Sequence, residues 1–302
     1  MSKSFDDLLS RLKEIPTKKV AVAVAQDEPV LEAIKKASEM NIAQAILVGD
    51  KKEIQEIAKK IDLDLSNYEI MDVKDTKKAT LEAVKLVSSG HADMLMKGLV
   101  DTATFLRSVL NKEVGLRTGK LMSHVAVFEI EGWERLFFLT DVAFNTYPEL
   151  KDKVGIINNA VSVAHACGID VPKVASVCPV EVVNPGMPST LDAALLGKMS
   201  DRGQLKGCIV DGPFALDNAI SEEAAHHKGV TGPVAGKADI LLLPTIETGN
   251  VMYKTLTYFA KSKNGGILVG TSAPVILTSR ADSFETKVNS IALAALVAAK
   301  NK

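Results

Sequence analysis

Short runs of Val, Ile, Leu and Ala recur along the chain, separated by longer stretches in which apolar residues fall three and four apart. The runs include VAVAVA at Val20–Ala25, AILV at Ala45–Val48, Val174–Val177, Cys208–Val210, Ile240–Leu243 and ILV at Ile267–Val269. They are mostly continuous rather than alternating, as strands covered on both faces are. Between them lie helix patterns. Asp27-Glu28-Pro29 ends one strand and puts proline in a first helical turn, followed by apolar Val30, Ile34, Ala37 and Met40. Thr76–Val87 carries Ala79, Ala83, Val84 and Val87 on one stripe, and Ser189–Met199 follows the turn-rich NPGMPST. Alternation of strand and helix predicts an α/β fold with a largely parallel sheet and helices on both faces.

One segment breaks the alternation. Ser123–Ile130 (SHVAVFEI), the turn Glu131-Gly132-Trp133 and Glu134–Thr140 (ERLFFLT) predict a β-hairpin inside the parallel pattern. It falls where two lobes of similar size would meet. The expected division is residues 1–135 with 276–302 in one α/β lobe and 136–275 in the other, with an active-site cleft between them. The last helix, Ser283–Ala299, is apolar nearly all round after Val288 and is expected to be buried, returning to the first lobe.

Composition narrows the chemistry. With 36 basic against 37 acidic residues there is no electrostatic footprint for nucleic acid or an anionic membrane. Three scattered cysteines, Cys167, Cys178 and Cys208, make neither a disulfide framework nor a zinc knuckle and fit a reducing cytoplasm. The start MSKSFDDLLSRLKEI lacks a signal peptide's apolar core, and the longest wholly apolar stretch, Ile291–Ala299, is far short of the ~20 residues of a membrane span. A soluble cytoplasmic protein is expected.

Gly236-Lys237 has the look of a nucleotide-binding loop but fails its requirements. Thr231 stands where the first glycine belongs, Ala238 where a Ser or Thr belongs, and the step leads into a strand instead of a helix. Two other segments offer anion sites. Ser279 and Arg280 precede a helix start at which Asp282 and Glu285 have capping-box spacing, so a hydroxyl, a guanidinium and free amides would gather at a positive dipole end. Lys97-Gly98 follows a strand and leads to a helix near Asp101, with Thr104 and Arg107 one and two turns on. In open α/β sheets that edge collects ligands. Adjacent His226-His227 close a short capped helix and do not make a zinc pair, and Asp211…Asp217 reads as strand end, turn and helix start. Cys178 and Cys208 lie in or beside apolar strands without an activating base, which favours burial over nucleophilic work.

The runs VAGKADILLLPTIETGNVMYKTL and GGILVGTSAPVILTSRADS resemble the carboxyl-terminal signature of the phosphate acetyl/butyryltransferase family. MKGLVDTATFLRSVLNKEVGLRTGK and DGPFALDNAISEEAAHHKG extend that resemblance along essentially the whole chain. It implies reversible transfer of a short acyl group, butyryl or branched, between coenzyme A and inorganic phosphate, with acetyl transfer the nearest alternative. No metal and no bound cofactor are implied; acyl-CoA and phosphate are the expected partners, with a homodimer or larger assembly. The implied fold is the two-lobed one of isocitrate and isopropylmalate dehydrogenases, and a metal-dependent NAD(P) dehydrogenase on that fold is a more distant alternative. Its constellation of metal-binding aspartates is not seen in the sequence. Ser279 and Arg280 match the family's Ser-Arg pair for the acyl carbonyl and the phosphate, and Arg107 resembles its other substrate arginine. Asn250 and Lys254, in ETGNVMYK, are expected to reach the ligands. The family's aspartate, six residues after the arginine, is here Thr286; Asp282 and Glu285 are the nearest carboxylates, and Asp282 is the candidate proton acceptor. Ile276-Leu277 replace a polar pair of the acetyltransferases, which would favour a longer acyl tail at about 0.8 kcal/mol per buried methylene.

Overall fold

The computed structural model describes residues 2–279 and 282–300. It divides into two compact units: a terminal unit, Phe5–Lys120 with Asn264–Lys302, and a central unit, Met1–Ser4 with Leu121–Lys263. Both breaks fall earlier than the 135 and 275 expected from sequence: the first precedes the hairpin, which stays whole within the central unit, and the second falls near the start of the strand Ser262–Val269.

In the terminal unit the strands are β1 (Lys18–Ala23), β2 (Ala43–Gly49), β3 (Glu69–Asp72), β4 (Met94–Lys97), most of β10 (Ser262–Val269), and β11 (Val275–Ile276). Their order is β3-β2-β1-β4-β11-β10, with every pair parallel except β10 with β11. Helices α1 (Phe5–Leu12), α2 (Glu28–Glu39), α3 (Lys51–Lys60), α4 (Thr76–Ser88), α5 (Thr102–Val109) and α11 (Phe284–Lys300) cover it. The chain steps outward from β1 through α2 and α3, then returns across β1 through α4. Right-handed crossovers therefore put α2 and α4 on opposite faces. The point of reversal lies between β1 and β4, where a crevice opens at the carboxyl ends of the strands. As its pattern predicts, α11 is buried from Thr286 to Ala298, and it packs on α1 and α2.

The central unit holds β5 (Ser123–Ile130), β6 (Phe137–Thr140), β7 (Lys173–Val177), β8 (Ile209–Phe214) and β9 (Ile240–Leu242), in the order β5-β6-β9-β7-β8. β5 and β6 form the antiparallel hairpin and the other neighbours are parallel. The second hairpin strand begins at Phe137, later than Glu134, because the turn runs on to Arg135. That guanidinium lies over the Trp133 and Phe137 rings and donates to the carbonyls of Ile220 and Gly236. β8 also runs further than expected, through Gly212-Pro213 to Phe214, where the sequence suggested a turn. A register shift against Ala175–Val177 absorbs the irregular pair. Helices α6 (Leu150–Ala166), α7 (Pro188–Asp201), α8 (Leu216–Ile220), α9 (Glu222–His227) and α10 (Ile246–Phe259) complete the unit. Phe128, Phe137, Phe214 and Leu241 join one cluster in its core, each buried ring contributing roughly 1.5–3 kcal/mol.

Candidate active site

Three loops leave the carboxyl ends of β1, β4 and β11 and meet around a cavity of about 350 Å³ in the terminal unit. Gln26, Asp27, Glu28, Lys97, Thr278, Ser279 and Lys287 supply its polar wall. The register explains the meeting: Ala23 lies opposite Lys97 and Met96 opposite Ile276, so the strands end nearly level.

After β1 the chain turns sharply. Val24 adopts φ 59°, in the left-handed region that a β-branched residue avoids, at a cost of order 1–3 kcal/mol. Its carbonyl accepts the Leu99 N–H at 2.8 Å. Gly98 must be glycine, since a Cβ there would stand 2.3 Å from the Val24 oxygen. The turn delivers Asp27 as the cap of α2, accepting from the Val30 N–H at 3.3 Å.

Lys97 ends β4, 7% exposed, with Nζ 3.5 Å from the Gly98 carbonyl. Beyond it Asp101 caps α5 by accepting the Thr104 N–H at 2.8 Å, and that bond holds its carboxyl below the usual range. Thr104 is half-buried and Arg107 exposed in the last turn of α5, and neither lines the cavity.

At the end of β11, Ile276 is wholly buried, Leu277 half-buried and Ser279 exposed toward the cavity. Arg280 lies outside the described residues. The expected capping box at Asp282 and Glu285 does not form. Ser283 caps α11, accepting the Thr286 N–H at 3.1 Å. Asp282 instead folds back, its Oδ2 accepting the Ser279 N–H at 2.6 Å while its own N–H donates to the Ser279 carbonyl at 3.2 Å. A carboxylate one residue too early for the cap is thereby placed against the backbone of Ser279. Glu285 is exposed, and Thr286 is buried, donating to Asn264 Oδ1 at 2.8 Å.

Lys287 is the residue the sequence reading missed. It is 3% exposed, lines the cavity, and donates from Nζ to the Asp282 carbonyl at 2.6 Å. Its signal in the sequence is a lysine near the amino end of a helix that is apolar nearly all round after Val288, the wrong end of the dipole for a cation.

In the central unit, Asn250 and Lys254 stand on α10, Asn250 half-buried and donating to the Val142 carbonyl at 3.3 Å, Lys254 exposed. Gly236 adopts φ +70°, and a Cβ there would lie 2.5 Å from the Glu222 backbone; Lys237 pairs with Glu222 at 3.2 Å. The Gly-Lys step is thus a tight entry to β9. His226 and His227 end α9, which Ser221 caps, and among the described residues no group of three His, Cys, Asp or Glu is placed to hold a metal. Burial pushes the Cys178 and Cys208 thiols up, away from the thiolate a nucleophile needs. Among the described residues no helix is long and apolar enough to cross a membrane.

The comparisons with known proteins agree with one another. The phosphate acetyl/butaryl transferase family model matches residues 4–82 and 73–295. A phosphate butyryltransferase of Clostridium beijerinckii is 87% identical over the whole of both chains. A branched-chain phosphotransacylase from Enterococcus faecalis V583 superposes with TM-score 0.83 at 36% identity, covering 93% of this chain and 99% of that one. A 4-hydroxythreonine-4-phosphate dehydrogenase from Klebsiella pneumoniae, at 13% identity and TM-score 0.50 over 93% of this chain and 100% of that one, shares the fold alone. On the family match and the identity to its curated relative, this chain belongs to the phosphate acetyl/butaryl transferase family.

Proposed function

We propose that the chain catalyses reversible transfer of a butyryl, or similar short or branched, acyl group between coenzyme A and inorganic phosphate. The observation that carries this reading is the cavity itself: two buried lysines and a serine at the carboxyl edge of parallel strands, in a chain 87% identical to a phosphate butyryltransferase.

In the forward direction a phosphate oxygen attacks the thioester carbonyl. The new C–O bond forms as the C–S bond breaks, and the coenzyme leaves as its thiolate. Negative charge develops on the carbonyl oxygen, where the Ser279 hydroxyl and Arg280 provide stabilisation. Phosphate is anionic at neutral pH and needs little base. In reverse, a thiol of pKa roughly 8.5 must lose its proton before it attacks. Asp282 is the acceptor in this scheme, held beside Ser279 by the bond to its N–H. Arg107 and Thr104 on α5, and Asn250 and Lys254 on α10, are assigned to substrate binding by the family resemblance. The scheme uses no metal and no bound cofactor. A homodimer or larger assembly in the cytoplasm belongs to the same reading.

Chain-length preference falls to Leu277. Ile276 is sealed in the core, whereas Leu277 is half-buried at the exit of β11.

The test is the initial rate of coenzyme A release from acetyl-, butyryl- and isobutyryl-CoA, with and without phosphate, in the presence of a chelator. Phosphate-dependent release fastest with the four-carbon thioesters is expected. Release from acetyl-CoA alone assigns the acetyl reaction; no release, with NAD(P) reduction on added metal, overturns acyl transfer.

A further inference from the structure

Lys287 is the fourth residue of α11 and is almost wholly buried. Two penalties attach to a cation there. An ammonium removed from water is unfavourable unless it is paired, and the amino end of a helix dipole repels positive charge. A methionine would fill similar space without either penalty. The bond described for Nζ is to a neutral partner, the Asp282 carbonyl, and the side chain borders open space shared with Lys97 and Ser279.

The same chain shows how such a lysine is treated when it serves packing. Lys153 is the fourth residue of α6, a helix of 17 residues like α11, and is 5% exposed. Its ammonium meets the Asp192 carboxylate at 2.6 Å beside a gap of only about 10 Å³. Lys153 has its counter-charge at contact, whereas among the described residues Lys287 makes no ion pair within 4.0 Å: its ammonium bonds a carbonyl and borders a cavity large enough for a phosphate, whose wall also carries Asp27 and Glu28.

We propose that Lys287 is a direct ligand of the reacting phosphate, its ammonium pairing with a phosphate oxygen when inorganic phosphate or the acyl phosphate enters the cavity beside Lys97. This rests on the acyl-transfer reading of the site and adds a residue to it. Coenzyme A carries phosphates of its own, but Ser279, assigned to the acyl carbonyl, lines the same cavity as Lys287. That proximity selects the phosphate that reacts.

The experiment compares wild type with full-length Lys287→Met and Lys287→Arg. The methionine variant is expected to raise the KM for inorganic phosphate by about tenfold or more, roughly 1.4 kcal/mol, while the KM for butyryl-CoA stays within about twofold. It is also expected to lose the rise in melting temperature that inorganic phosphate gives the wild type, while its ligand-free melting temperature is equal or higher. Arginine, which keeps the charge, should retain most of the phosphate response. An unchanged phosphate KM, or a phosphate-induced rise preserved in Lys287→Met, overturns the assignment. An increase confined to the KM for acyl-CoA moves the lysine to the coenzyme and also overturns it, as does a wild type that phosphate does not stabilise. A fall in ligand-free melting temperature with an intact phosphate response would make Lys287 a packing residue. The melting readout needs no turnover. A wild type stabilised by phosphate but inactive on every acyl-CoA would therefore sink the acyl-transfer reading while leaving the phosphate contact testable.

Discussion

The two units end their parallel strands in opposite ways. At the carboxyl edge of β7 and β9 in the central unit, Lys153, Asp192, Ser176 and Cys178 close around almost no free volume. The buried charge there is neutralised by a carboxylate supplied from α7. At the carboxyl edge of β1, β4 and β11 in the terminal unit, two buried lysines border a cavity, and the turn that leads from β1 to it holds Val24 in the left-handed region. Both edges arise from the same topology. What separates them is the partner given to the fourth residue of the long helix: Lys153 meets a carboxylate, whereas the bond described for Lys287 is to the Asp282 carbonyl beside an open cavity.

Three measurements bear on that contrast. The largest effect is expected at Arg280, assigned to the acyl carbonyl and the phosphate by its match to the family's Ser-Arg pair. Arg280→Ala should lower kcat/KM by on the order of a thousandfold, about 4 kcal/mol of transition-state stabilisation. A loss below about tenfold in steady-state kinetics would mean the anion is held elsewhere.

An intermediate effect, on stability, is expected at the filled edge. Lys153→Met leaves Asp192 without its cation and should cost about 2 kcal/mol, less than a fully buried pair because the Asp192 side chain is 27% exposed. Lys153→Met with Asp192→Leu should recover most of that loss in urea unfolding, since both charges are then gone. No recovery in the double variant would mean that packing, and not the ion pair, holds the edge together.

The smallest effect concerns Asp211 on β8, whose carboxyl is pushed up from 3.8 mainly by burial, opposed by the Gly212 N–H. A carboxyl raised in the folded state disfavours folding when ionised, so its penalty is present at neutral pH. The penalty fades as pH falls through the raised value and is gone below the unfolded one. Asp211→Asn, which keeps an acceptor for Gly212, should therefore raise the melting temperature slightly at pH 7, with the gain shrinking toward pH 4. A gain independent of pH would show that burial of the charge is not its cause.

Much of this architecture was legible along the chain. Continuous Val and Ile runs announced the buried strands, Asp27 before Glu28-Pro29 announced the start of α2, and Ser221 through Gly229 announced α9. These are local signals, set by periodicity and capping chemistry within a few residues. The family resemblance pointed to Ser279, Arg280 and Arg107, and the strand-to-helix step pointed to Lys97. Two adjacent good caps defeated the reading at α11: Asp282 and Ser283 are both competent, and only the return of Asp282 to the Ser279 amide leaves the cap to Ser283.

Taken alone, then, the sequence determined the class of fold, the order of its elements, the family and most of the candidate residues. Tertiary structure decided which charges leave water. Lys153 and Lys287 hold the same position in helices of equal length, and nothing within a turn of either tells a paired lysine from one facing a cavity. Asp192 lies 39 residues beyond Lys153. The wall facing Lys287 is built from loops after β1 and β4, far away in the chain. Burial and counter-charge are properties of neighbours in space, and those neighbours are chosen only when the sheet forms.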